Sequence, residues 1–273
     1  VRRLASGDPA RGGRLLEDAV AVLRRLPAGG VPLSVLAARS VGDGHALDPG
    51  RPLATLVLRA AAALGDVPPP QTAEGRRTAW AAVGVLDGEL TNPVLVLNLP
   101  VATGTTTGRV LAAYAAVGEP VYLSARQLVR DPPQLVVADR PIFVCENPTV
   151  VATAAARVGA GCAPVVCVSG HPGAAATVLL RRLSGAGAVL HYHGDFDWPG
   201  VTIAGGVMTR FGARPWRFGA ADYRAGLARG GRALRGTPAS TPWDPELART
   251  MRTECVAVEE ETVLDDLLRD LAT

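Results

Sequence analysis

Apolar positions along this chain follow two different spacings. Up to about residue 135 they recur mostly at helical intervals: RLLEDAVAVLRRL (14–26), LATLVLRAAAAL (53–64), residues 72–87 with Trp80 on the apolar face, and RVLAAYAAVG (109–118). Recurrence at three and four residues predicts amphipathic helices. Pro27-Ala28-Gly29-Gly30 stops the first of them and Gly118 the last. SARQL (124–128) predicts one more helical turn, and VLVLNL (94–99) reads as a short buried strand. The runs GDGHALDPG (42–50), VPPPQ (67–71) and GTTTG (104–108) read as breaks and loops.

From Arg140 short β-rich runs alternate with amphipathic stretches. They are PIFVCE (141–146), a helix over 148–158, PVVCVS (164–169), a helix over 173–183, AVLHYHGD (188–195), a helix from Pro199 to Phe211, and RPWRF (214–218). This alternation predicts a parallel, doubly wound α/β sheet. The tail from Asp222 reads as helical, is broken near 236–245, and ends in the acidic helix VAVEEETVLDDLLRDL (256–271). The expected division is a mainly helical region over 1–135 and an α/β domain with a helical tail over 136–273.

Composition changes this picture at two points. The 273 residues are 48% hydrophobic, enough to bury a sizeable core, and no apolar run is long enough to span a membrane. With no signal peptide, and with cysteines at 145, 162, 167 and 255 in no C-x-x-C or zinc-like spacing, a reduced, cytoplasmic protein is expected. All 28 basic residues are Arg. Arg pairs bidentately with phosphate, which permits nucleic acid as a partner, although a GC-rich genome explains the bias as well. The missing Lys excludes more than the Arg includes. Receiver domains and D-x-D phosphatases need a Lys beside their acids, and a Walker loop needs one after GTTTG.

Ligands of a parallel α/β sheet bind beyond the carboxyl ends of its strands. Glu146 follows IFVC there, and Asp195 and Asp197 follow VLHYH across Gly194. The i, i+2 spacing in an extended loop aims both aspartates one way. Three converging carboxylates repel one another unless a hard cation sits between them, so divalent metal is the expected occupant. The plainer reading of any one of them is a helix N-cap or a solvated loop acid.

HYHGDFDWPGVTIA (191–204), with ENPTVV (146–151) upstream, resembles the Toprim pattern of a Glu after one strand and a D-x-D after a later one. CVSGHPGAAATVLLRRL, LHYHGDFDWPG, GARPWRFGAADY and VAVEEETVLDDLLRDL, with GDGHALDPGRPLATLVLRA and TAWAAVGVLDGELTNPVLVLNLP nearer the N-terminus, resemble the Toprim nuclease subunit of Wadjet plasmid-defence systems, in the branch assigned to type III. That family resembles the A subunit of topoisomerase VI. The resemblance implies a Toprim fold in which Glu146, Asp195 and Asp197 hold Mg2+ or Mn2+ to cleave circular plasmid DNA. It implies an SMC-kleisin-type complex as partner and, with it, a possible homodimer. It also implies that one glutamate of Glu259–Glu261, Glu260 by preference, folds back to the metal site, where the plain reading is an acidic helix start. The chain is shorter at its N-terminus than the resemblance leads one to expect, so part of an arm or DNA-binding segment is expected to be missing. A topoisomerase-like strand breaker with a Tyr nucleophile and a non-catalytic DNA-binding subunit remain the alternatives.

Other candidates are two-sided. Ser169, Gly170 and His171 before a helix suit a phosphate cradle or an ordinary turn equally. His193 stands near the metal edge as a phosphate or metal contact, though a packed histidine fits as well or better. Tyr114, Tyr122 and Trp198 read as packed residues. Arg181, Arg182, Arg210, Arg214 and Arg217 are the cations nearest the proposed site in sequence.

Overall fold

The computed structural model describes residues 3–272 except 66, 68, 88, 89 and 91, with the backbone alone at 74 and 78. The chain divides into two compact units, Val1–Glu89 and Leu90–Thr273.

The first unit contains α1 (Pro9–Leu23), β1 (Val31–Pro32), α2 (Leu33–Val41), α3 (Pro52–Leu64), α4 (Ala73–Ala82) and β2 (Val85–Leu86). Asp8 caps α1, accepting from the backbone N–H groups of Ala10 and Arg11. Leu15, Ala19 and Val22 of α1 meet Val57 and Ala61 of α3 and Trp80 of α4 in one apolar core. The helical spacing over 72–87 does not run through. Gly84, at φ 73°, turns the chain against Ala28, whose carbonyl a Cβ at that position would overlap. β2 then pairs in parallel with β1.

The second unit contains β3 (Val94–Leu97), β4 (Val101–Ala102), α5 (Thr106–Val117), β5 (Val121–Leu123), α6 (Ala125–Arg130), β6 (Gln134–Leu135), β7 (Pro141–Cys145), α7 (Pro148–Arg157), β8 (Val165–Cys167), α8 (Ala174–Gly185), β9 (Val189–Tyr192), α9 (Trp198–Phe211), β10 (Arg214–Pro215), α10 (Ala220–Leu227), β11 (Arg232–Ala233), α11 (Pro245–Glu254), β12 (Val256–Ala257) and α12 (Glu260–Leu271). Six strands form the central sheet in the order β10-β9-β7-β8-β3-β5. β10, β9, β7 and β8 are parallel, and β3 and β5 add an antiparallel edge. The strands β7 to β10 and their connecting helices fall where the alternation predicts.

The boundary at 135/136 does not match the division at 89/90. Residues 94–130 belong with the α/β unit because β3 pairs with β8, a strand much later in the chain, and β5 pairs with β3. No helix among the described residues is long and apolar enough to cross a membrane.

Strand order places the site. From β7 the chain crosses to β8 on one side, then returns past β7 to β9 and β10 on the other. The connections diverge between β7 and β9. In open α/β sheets the crevice at that point, beyond the carboxyl ends, is where ligands bind.

Candidate functional site

Glu146 stands directly after β7, and Asp195 and Asp197 follow β9, the strand beside it. The loop after β9 is tied to the tail by an antiparallel bridge. The Phe196 N–H donates to the Val258 carbonyl at 2.8 Å and the Val258 N–H returns to Phe196 at 3.3 Å. This brings α12 to the sheet edge. The N–H of Glu260 donates to Asp195 Oδ1 at 2.8 Å. The fully buried Glu260 carboxylate accepts the backbone N–H of Glu146, at 3.2 and 3.1 Å to its two oxygens, and that of Asn147. The Asn147 amide donates to Glu261 Oε1 at 2.6 Å. Glu146, Asp195 and Glu260 are therefore braced by one another's backbones.

Their charges do not sit comfortably together. Burial, reinforced by the charges of Asp195 and Asp197, raises the Glu146 carboxyl to about 7, against a backbone N–H of Asp195 that lowers it. Burial also raises Asp195 to about 6, with the Glu260 N–H lowering it and Asp197, Glu261 and Glu259 raising it. Burial pushes Glu260 well above the usual carboxylate range, aided by Asp195 and Glu146. Glu146 Oε2 is buried without a hydrogen-bond partner among the described residues, and so is the hydroxyl of Tyr192. Both lie 2.9 Å from where a Cβ on Gly194 would stand. Glycine is thus needed for space. Gly194→Ala is expected to cost about 1–3 kcal/mol, the usual penalty of overpacking, read as a lowered midpoint in urea unfolding. An unchanged midpoint would mean that the loop gives way freely.

Asp197 stands slightly apart. Its Oδ1 caps α9 through the Gly200 N–H at 2.8 Å, and its Oδ2 accepts from Arg232 Nη2 at 2.8 Å. Among the described residues no group of three His, Cys, Asp or Glu side chains is arranged to hold a metal ion directly. The donor set nevertheless suits a hard divalent cation. It is all oxygen and all of one sign, and it includes a buried unpaired carboxylate oxygen that a cation would satisfy. The residues present fit Mg2+ or Mn2+.

Residues 121–271 match a family model described as "Protein of unknown function C-terminus (DUF2399)", and residues 1–101 match one described as "Protein of unknown function N-terminus (DUF3323)". The chain belongs to the DUF2399 family. No curated protein matches it. The DUF2399 match covers all four acids, β5 and β7 to β10 of the sheet, and α12.

Elsewhere in this DUF2399 chain the sequence candidates separate. Ser169, at φ 53°, and Gly170, at φ 86°, form the turn between β8 and α8, with Ser169 and His171 exposed at the same sheet edge. His193 is removed from any surface that a phosphate could reach. It is buried among Phe196, Trp216 and Phe218, its Nδ1 lies 2.9 Å from the Trp216 carbonyl oxygen, and burial lowers its pKa to about 4. Trp198 is packed, as expected, but Tyr114 and Tyr122 are 45% and 57% exposed, on a surface helix and on the edge strand β5. The GTTTG loop is closed to phosphate by the chain itself, because Asp131 accepts the N–H of Thr107 at 2.6 Å and its hydroxyl at 3.0 Å.

Sequence neighbourhood misleads most for the arginines. Each helix after a parallel strand runs back along it, so Arg181 and Arg182 near the end of α8, and Arg210 near the end of α9, lie toward the opposite edge. Arg217 is clamped by Asp270, with Nε and Nη2 at 2.6 and 2.7 Å from its oxygens, and Trp216 Nε1 donates to the same carboxylate at 2.8 Å. Arg232, which sequence reasoning passed over, is a guanidinium in contact with Asp197 and with Glu259. It sits on a two-residue strand that carries no periodic signal.

Proposed function

We propose that this chain is a metal-dependent DNA endonuclease with a Toprim-type site, the nuclease subunit of an SMC-type anti-plasmid complex of the Wadjet kind. The observation that carries the reading is the meeting of Glu146, Asp195, Asp197 and Glu260 at the switch point of the sheet, with Glu146 Oε2 buried and unpaired. Glu146 and Asp195 would hold Mg2+ or Mn2+, with Asp197 and Glu260 beside them. The ion would polarise the scissile phosphate and lower the pKa of a water. The protein's own share is positional. Glu260 fixes the loop that carries Glu146, and Asp195 is fixed against the start of α12.

Attack by a tyrosine of the same chain is the weaker reading. Tyr122 lies in register with Leu95, Leu95 with Cys167, and Cys167 with Cys145, the residue before Glu146. That is three strand spacings, about 14 Å. Tyr192 is beside the acids but fully buried. The test is incubation of supercoiled plasmid with the chain and its SMC-type partners in Mn2+. Nicked or linear DNA with free ends, abolished by chelator, is expected. DNA left covalently attached to protein would select the tyrosine mechanism, and metal-independent binding without cleavage would select a scaffold.

A further inference from the structure

Asp197 has one oxygen to offer a cation, because Oδ1 is engaged by the Gly200 N–H. Arg232 Nη2 holds the other, Oδ2, at 2.8 Å, while Arg232 Nε holds Glu259 Oε1 at 2.7 Å. The two ends of this contact differ in exposure. The Asp197 side chain is 12% exposed and that of Arg232 48%. The main chain under Arg232 is set by the pairing of β11 with β12, which runs straight into Glu259 and Glu260. Arg232 is thus a fixed charge at the rim of the acid cluster, with a fork reaching inward to one acid and sideways to another.

We propose that Arg232 is an exchangeable cation, which neutralises Asp197 until a divalent ion takes that oxygen and then binds a phosphate of the DNA backbone. The inference rests on the metal-site reading above and assigns a phosphate-binding and positioning role that the reading does not contain. A guanidinium keeps its proton at any working pH, so Arg232 leaves Asp197 by exchange with another cation and not by deprotonation. Once released, its planar fork matches phosphate, and Glu259 keeps it at the rim. A second observation points to a ligand within the acid cluster that Arg232 borders. The Tyr192 hydroxyl is fully buried and unpartnered among the described residues, and it converges with Glu146 Oε2 on Gly194 between the strand and Asp195. Metal occupancy and backbone binding are then linked, each strengthening the other.

The test uses the full chain and measures its affinity for random-sequence duplex DNA by fluorescence anisotropy across a range of salt, with and without Mn2+. Each phosphate contact adds about 0.9 to the slope of log affinity against log salt. Mn2+ is expected to steepen the wild-type slope by about 0.9, that is by one contact. Arg232→Gln is expected to lack this increment and to bind Mn2+ several-fold more tightly in calorimetry without DNA. Arg232→Lys is expected to restore the increment. A merely structural role for Arg232 would not make the slope depend on metal. Equal increments in wild type and Arg232→Gln would overturn the proposal. So would the absence of any increment in wild type, whether or not the variant folds. Nicking of plasmid by wild type, lost in Asp195→Asn, would leave the nuclease reading standing in either case. A wild type that neither binds Mn2+ nor nicks would end both.

Discussion

Asp195→Asn and Glu146→Gln are each expected to lower Mn2+-stimulated plasmid nicking by more than about 100-fold while the chain stays folded. The amides keep the shape of the side chains and remove the charge that a divalent ion needs. Neither change leaves a cavity, and in Asp195→Asn the amide oxygen would still accept the Glu260 N–H that Asp195 Oδ1 accepts. Asp197→Asn is expected to lose less, roughly 10-fold. Asn is as good an N-cap as Asp for α9, and one Asp197 oxygen is already engaged by that cap, so the ion loses less here than at Glu146 or Asp195. The measurement is the nicking rate, taken beside the melting temperature of each variant. Cleavage by Asp195→Asn at the wild-type rate would sink the mechanism.

What was legible in the sequence is what local rules govern. Glu146, Asp195 and Asp197 could be placed because each follows a β-rich run directly, and a strand end is a local property. Parallel order, and hence the meeting of these acids, followed from the alternation of strands with helices. Glu260 was reachable through family resemblance alone, since it arrives by the Phe196–Val258 bridge, a long-range pairing without local signature. The same limit hid the membership of β3 and β5 in the sheet and set the expected boundary too late. Arg232 escaped for a related reason: two residues of strand cannot display a period. Tyr114 and Tyr122 were expected in the core because their neighbours are apolar, but α5 buries only one face and β5 is an edge. Composition could not tell an apolar residue on an open face from one on a covered face.

In metal-free buffer the protein is expected to lose stability as pH rises from about 4.5 to 7, a direction set by acids whose folded values lie above their unfolded ones. Glu146 is raised from 4.5 to about 7 and Asp195 from 3.8 to about 6, both chiefly by burial. The folded state therefore holds protons that the unfolded chain has released. The stability they confer is complete below about 4 and is lost as pH passes through 6 and 7. His193 opposes part of this. Its value is lowered from 6.5 to about 4, so the folded state binds fewer protons than the unfolded one over that range. A comparison between variants removes this background. Glu146→Gln is expected to match wild type near pH 4.5 and to exceed it by about 2–3 kcal/mol at pH 8, since a tenfold difference in proton affinity between the folded and unfolded chain is worth about 1.4 kcal/mol. For a protein of this size that is a rise in melting temperature of roughly 5–10 °C. Because Glu146 and Asp195 interact, Asp195→Asn should also draw the apparent Glu146 value down, and the pair titrates as one system. Mn2+ at pH 8 is expected to close the gap by stabilising wild type and not Glu146→Gln, as a ligand that binds only the native acid cluster must. Wild type and Glu146→Gln melting in parallel across pH 4.5–8, with and without Mn2+, would show that Glu146 carries no strained charge and would remove the electrostatic case for a cation at this site.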